Sequence, residues 1–137
     1  MDLIGTWTLA ALEVIASDGT VDKPLGEAPL GRIMYGADGT MSAMLGARNR
    51  PSFGVRADQA SDAQWGAAAR MFIAYAGTWT RDGDVVRHQV EVSLIPDWIG
   101  TTLVRTIGQW DGGLTLTVEP NRPGGRTQRL AWAPVTT

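Results

Sequence analysis

Turn signals recur along the chain at the spacing of short strands, and this punctuation limits what the sequence can become. Ser17-Asp18-Gly19-Thr20, Gly36-Ala37-Asp38-Gly39, Arg81-Asp82-Gly83-Asp84 and Asp111-Gly112-Gly113 each set Gly beside Asp between apolar or β-branched runs. Glycine takes the positive φ that a tight hairpin needs, and Asp folds its carboxylate back onto the local backbone, so each cluster joins antiparallel strands. The strands predicted between them run over Gly5 to Ala16, Arg32 to Tyr35, Thr40 to Leu45, Tyr75 to Thr80, Val85 to Ile95, Thr101 to Trp110, Leu114 to Glu119 and Thr127 to Ala133. Pro24 to Pro29 and Arg48 to Phe53 carry no periodicity and read as loops. Pro96-Asp97-Trp98-Ile99-Gly100 interrupts the ladder, because Pro has no N–H to donate and Gly permits a reversal.

One segment has a different period. Ser61 and Gln64 have the spacing of a capping box, and Trp65, Ala68, Ala69, Phe72 and Ile73 recur at three and four residues. The pattern predicts a helix to about Ala74 with one stripe on a core. The sum is about eight consecutive antiparallel strands with one helix inserted after the third. Hairpin-linked strands in that number close most economically into an all-β, up-and-down barrel. A cystatin-like cone, in which a curved sheet wraps a helix, would place its main helix before most strands.

Size and composition bound the rest. A chain of 137 residues with 44% hydrophobic and 19% charged side chains suits one barrel domain over 1–137, with a single core. A net charge of -2 lacks the positive field that nucleic acid or an anionic membrane selects, so neither is expected as a partner. With no cysteine there is no disulfide or thiolate metal site, and a single histidine, His88, excludes a multi-histidine metal centre. No cofactor or metal is expected. Met1 to Gly5 shows no basic, then apolar, leader, and no run approaches the roughly 20 apolar residues of a membrane span, so a cytoplasmic location is the expectation.

Side chains alternate along a strand, so Val86, His88, Val90, Val92 and Leu94 share a face that should point inward. Leu103, Arg105 and Ile107 form the matching row, in a register that sets Leu94 by Leu103 and Val92 by Arg105. An arginine and a histidine thus enter an apolar interior. A buried guanidinium cannot shed its proton, so Arg105 requires an anionic or carbonyl partner: a ligand, Asp97 at the strand end, a backbone carbonyl or water. His88 is either a hydrogen-bonded core residue or an acid–base group; no nucleophile motif accompanies it. Tyr35 shares a face with Ile33, and Tyr75 with Gly77 and Trp79, so either hydroxyl can project inward or pack in the wall. Met34, Met41, Met44 and Met71 are adaptable fillers of an irregular interior.

Gly5-Thr6-Trp7 resembles the G-x-W motif of the calycin superfamily, the lipocalins and fatty-acid-binding proteins. There the Trp closes one barrel end under an Arg of the last strand, which implies that Gly5 and Trp7 are structural and that Trp7 meets Arg129, or else Arg126. The chain as a whole resembles the bacterial and fungal lipocalin-like domain family. The likeness runs through Gly31-Arg32-Ile33-Met34-Tyr35, Asp38 to Ala43, Arg50-Pro51-Ser52-Phe53, Tyr75 to Trp79, His88 to Thr101, and Arg105. The family often has Asn where Asp97 stands.

This resemblance implies a barrel with an internal pocket. The expected function is binding of a small, largely apolar molecule, with Tyr35, Tyr75, His88, Val90, Val92, Trp98, Leu103 and Arg105 as its contacts. Some relatives sit among natural-product biosynthesis genes, so the ligand can be an intermediate of that kind. The alternative is a cofactor-free isomerase, cyclase or dehydratase acting on a polyketide- or terpenoid-like substrate. Arg105 would then stabilise oxyanion charge, and His88 or Tyr35 would move a proton. A third reading is a structural barrel that forms a homodimer through Trp98 or Trp65.

Overall fold

The computed structural model describes residues 1–135. Nine strands form one antiparallel sheet: β1 (Gly5–Ile15), β2 (Val21–Asp22), β3 (Leu30–Tyr35), β4 (Thr40–Gly46), β5 (Phe72–Asp82), β6 (Val85–Ser93), β7 (Thr102–Trp110), β8 (Gly113–Val118) and β9 (Thr127–Pro134). β3 to β9 follow one another as neighbours, and β1 pairs with both β3 and β9, which closes an eight-stranded barrel. The two-residue β2 only extends the turn after β1. The up-and-down order is the one that the turn signals predict. Closure removes the unpaired edges that an open sheet would expose.

Helix α1 (Asp62–Arg70) lies between β4 and β5 and begins with the expected reciprocal cap: Gln64 N donates to Ser61 Oγ, and Ser61 N donates to Gln64 Oε1. It is shorter than its apolar period suggests, and none of its residues is buried. Phe72 and Ile73 belong to β5, paired with Gly46 and Leu45, because ladder hydrogen bonds along β4 outweigh a further helical turn. Trp65 stays half exposed, edge-on to Phe53, with its indole N–H on Ala57 O.

The core fills the barrel with inward-facing residues of every long strand, among them Leu9, Leu12, Ile33, Met41, Ala43, Leu45, Val86, Val90, Leu114, Leu116 and Trp132. Each large aliphatic side chain buried this way stabilises the fold by about 1.5–3 kcal/mol. Of the four methionines considered as fillers, Met41 is in the core, while Met34, Met44 and Met71 face outward. One barrel end is closed by the segment ahead of β1. Leu3 is buried there, and its carbonyl accepts from Trp7 Nε1 at 2.9 Å. Trp7 is buried at this end, but not beneath Arg129, which pairs with Glu13 on the outer surface at 2.9 Å. The register Glu13↔Arg129 sets those two side by side, away from Trp7, which lies opposite Pro134.

The β5–β6 pairing contains a bulge that sequence alternation does not reveal. Ala76 pairs with Val92 but Gly77 pairs with Val90, so Glu91 is the extra residue and the in–out phase of β6 reverses after Val90. Val86, His88 and Val90 point inward as expected; Val92 is 61% exposed and Leu94 43% exposed. A glycine is required at the bulge: a Cβ on Gly77 would collide with the Gln89 carbonyl. The β6–β7 register differs correspondingly, with His88 opposite Leu103 and Val86 opposite Arg105. The chain leaves the ladder early because the short 3₁₀ turn Pro96–Trp98 occupies the connection, held by Ile99 N on Pro96 O.

Candidate functional site

Alternation along β3, β5 and β6 brings Tyr35, Tyr75 and His88 to one place inside the barrel. Ile33 and Tyr35 face inward on β3, Tyr75 and Trp79 on β5, and His88 stands between the two tyrosines, fully buried. Tyr35 Oη lies 2.6 Å from His88 Nε2, and Tyr75 Oη lies 2.8 Å from His88 Nδ1. Both imidazole nitrogens therefore end on a tyrosine hydroxyl. Trp79 packs edge-on against Tyr35 and donates its indole N–H to Gly36 O at 3.0 Å, which fixes the Tyr35 ring from behind.

Arg105 enters from β7 and sets the electrostatics. Burial pushes the His88 pKa down to about 3, and the nearby guanidinium pushes in the same direction, so the ring is neutral at ordinary pH. Burial raises both tyrosine pKa values, and Arg105 partly offsets this at each. The group is thus a neutral, hydrogen-bonded relay beside a fixed positive charge. Among the described residues no ion pair involves Arg105; Asp97 is exposed, and the guanidinium donates to the adjacent Val104 O at 3.1 Å.

A cavity of about 70 Å³ adjoins this relay, bounded by Tyr75, His88, Arg105 and Trp98 together with apolar residues that include Leu12, Ala43, Leu116 and Leu130. It reaches the exposed Gln128 at the mouth, opposite the end closed by Leu3 and Trp7. Trp98 lies across that mouth, edge-on to Tyr75 at 5.8 Å between ring centres. It faces the barrel and packs on the core. Larger hollows, such as the one of about 400 Å³ bordered by Leu30, Met44 and Phe72, lie outside the barrel.

Four of the residues expected as ligand contacts, Tyr75, His88, Trp98 and Arg105, line the cavity. Tyr35, Val90 and Leu103 face inward but lie behind its wall, and Val92 is excluded, since the bulge turns it to solvent. Trp132 and Gln128 line the cavity and were not anticipated. Their signal was available: Gln128, Leu130 and Trp132 alternate along β9 as one face. Trp132 is 1% exposed, and its indole N–H has no hydrogen-bond acceptor among the described residues. Among the same residues no three His, Cys, Asp or Glu side chains come together, and no helix is long and apolar enough to cross a membrane.

Residues 4–135 match the family model described as a lipocalin-like domain. The chain belongs to the lipocalin-like domain family. The match takes in the G-x-W segment, the relay and the cavity together, and the lipocalin-like barrel suits small-molecule binding in general. Among solved structures, one of an uncharacterized protein from Bacteroides eggerthii is 14% identical over 98% of this chain and 100% of that one, with a TM-score of 0.49. A comparison with curated proteins returns no match.

Proposed function

We propose that this lipocalin-like barrel binds a small, largely apolar molecule, with its polar end at Tyr75, His88 and Arg105 and its apolar part against Leu12, Ala43, Leu116 and Leu130. The observation that carries this reading is a polar relay at the inner wall of an otherwise apolar cavity. An apolar wall supplies affinity through burial, and a few placed donors fix orientation. The cavity volume of about 70 Å³ suits only a small head group, so a longer ligand would extend through the mouth past Trp98 and Gln128. A natural-product intermediate with a compact polar end would meet that requirement.

One observation favours catalysis as a second reading. The Tyr75 hydroxyl, oriented by the His88 ring at the cavity wall, can exchange a proton with a substrate, while Arg105 stabilises negative charge there. That is the equipment of a cofactor-free isomerase, cyclase or dehydratase.

Incubating the protein with a metabolite extract, followed by desalting and native mass spectrometry, separates these readings. Binding gives one small molecule retained at stoichiometric amount by wild type and lost from Ala43→Met, which fills the cavity. Catalysis gives a metabolite consumed well beyond the protein concentration, and consumed no longer by Arg105→Met. Retention that Ala43→Met leaves unchanged would contradict an internal site.

A further inference from the structure

The relay contains more donors than it can use, and counting its protons shows where the extra one goes. Tyr35 Oη, His88 Nε2, His88 Nδ1 and Tyr75 Oη form one chain, with contacts of 2.6 Å and 2.8 Å. With a neutral imidazole the chain carries one proton on each hydroxyl and one on the ring, while its two contacts take up only two of these. One hydroxyl must direct its proton elsewhere.

The surroundings decide which one. Tyr35 Oη has no other hydrogen-bond partner among the described residues, and Tyr35 does not line the cavity, so its proton is satisfied only on His88 Nε2. Nε2 is then the acceptor. The ring proton sits on Nδ1 and is donated to Tyr75 Oη. Tyr75 does line the cavity, with the Arg105 guanidinium beside it. A phenol oxygen that accepts from His88 and faces a guanidinium must turn its own proton away from both, toward the cavity.

The other polar groups there are also donors. Arg105 donates to one carbonyl, its neighbour's, and a guanidinium carries five N–H groups. Trp132, with its indole N–H buried and without an acceptor among the described residues, stands in the same wall. No Asp or Glu lines the cavity, and the only side-chain amide is Gln128 at the mouth. A buried donor left without an acceptor is costly, and a hydrogen bond to a charged acceptor is worth more than one to a neutral group.

We infer that the barrel selects a ligand with a carboxylate head group on a short apolar tail, held by the Tyr75 hydroxyl and the Arg105 guanidinium, while His88 in its Nδ1–H form orients Tyr75. This rests on the internal binding site proposed above. An alcohol is a neutral acceptor, so it would hold the guanidinium less strongly than a carboxylate does, and it would bring a proton needing an acceptor of its own. An amine would bring a positive charge against Arg105.

The test uses the full chain labelled with ¹⁵N. His88 is the only histidine, so its two ring nitrogens give an unambiguous pair of NMR signals that report the tautomer. The expected result is a protonated Nδ1 and an unprotonated Nε2; the reverse would overturn the assignment of Tyr75 as donor. Titrations with hexanoate, hexan-1-ol and hexylamine then probe the head group. Hexanoate should bind about tenfold or more tighter than hexan-1-ol, hexylamine should bind least, and Tyr75→Phe should reduce the preference for hexanoate by about tenfold. Equal affinity for hexanoate and hexan-1-ol would overturn the carboxylate selection and leave the barrel as a binding site. Failure of all three probes to move the His88 signals would overturn the internal site itself.

Discussion

At the end of the barrel closed by Leu3, the indole N–H of Trp7 reaches Leu3 O at 2.9 Å and that of Trp79 reaches Gly36 O at 3.0 Å. Around the cavity the indole N–H of Trp132 meets no acceptor among the described residues, and Arg105, which donates to the carbonyl beside it and lies against the Tyr75 hydroxyl, keeps N–H groups to spare. The same residue type is thus satisfied by the fold in one region and left to another partner in the other. Unsatisfied buried donors are rare in folded proteins because each costs about 1–3 kcal/mol, so the one found among the described residues, Trp132 Nε1 at the cavity wall, marks a place where stability was not the only requirement.

The largest effect expected from breaking this contrast comes at its centre. His88→Ala removes the acceptor and donor of two buried hydroxyls and leaves a void, which should lower unfolding stability by about 4 kcal/mol in chemical denaturation. Replacement by Gln, which keeps polar atoms there, should cost less.

His88 also gives the protein a pH signature. Its folded pKa of about 3 lies below the ordinary 6.5, so between these values the unfolded chain binds a proton that the folded one refuses. Stability therefore rises with pH through that window and is lost as pH falls from 6.5 toward 3, by a few kcal/mol in all. In His88→Gln this acid-side slope should flatten; denaturation curves at a series of pH values would show it, and an unchanged slope would mean that other groups cause it.

A pair of equal-volume substitutions sharpens the comparison between regions. Trp7→Phe deletes a satisfied hydrogen bond and strands Leu3 O, whereas Trp132→Phe deletes a donor that had no acceptor. Trp7→Phe should be the more destabilising by about 1–3 kcal/mol, read from paired thermal or denaturant unfolding. Equal costs would mean that the Trp132 indole is satisfied in solution.

The smallest expected effect tests the bulge. Val92→Thr, on the exposed side, should change stability by less than about 0.5 kcal/mol, while Val90→Thr buries a hydroxyl and should cost about 1–3 kcal/mol. If both were costly, Val92 would be covered by a partner in solution.

Local chemistry was legible in the sequence, and contacts between strands were less so. Gly36 to Gly39, Asp82 to Asp84 and the Ser61–Gln64 cap each act within a few residues, so their spacing alone places the hairpins and the helix start. Inward placement of His88, Tyr35 and Arg105 follows from strand alternation. The phase change after Val90 does not, because it depends on how closely Gly77 approaches the Gln89 carbonyl of the neighbouring strand. The end of α1 was misread for a similar reason: Phe72 and Ile73 fit a helical stripe, but pairing with β4 decides their state. The relay was visible only in part. Each hydroxyl was a candidate donor on its own strand, but Tyr35 is 53 residues from His88, and only barrel closure reveals that both tyrosines end on one ring.

The most direct measurement is the indole region of a ¹⁵N–¹H spectrum of the full chain during titration with hexanoate. Each of the six tryptophans gives its own indole probe, with Trp7 and Trp79 at the closed end and Trp98 and Trp132 at the cavity. The account predicts that the Trp98 and Trp132 signals move with saturation, while those of Trp7 and Trp79, held by backbone carbonyls at the closed end, stay in place. Stationary Trp98 and Trp132 signals, or equal movement at Trp7 and Trp79, would contradict it.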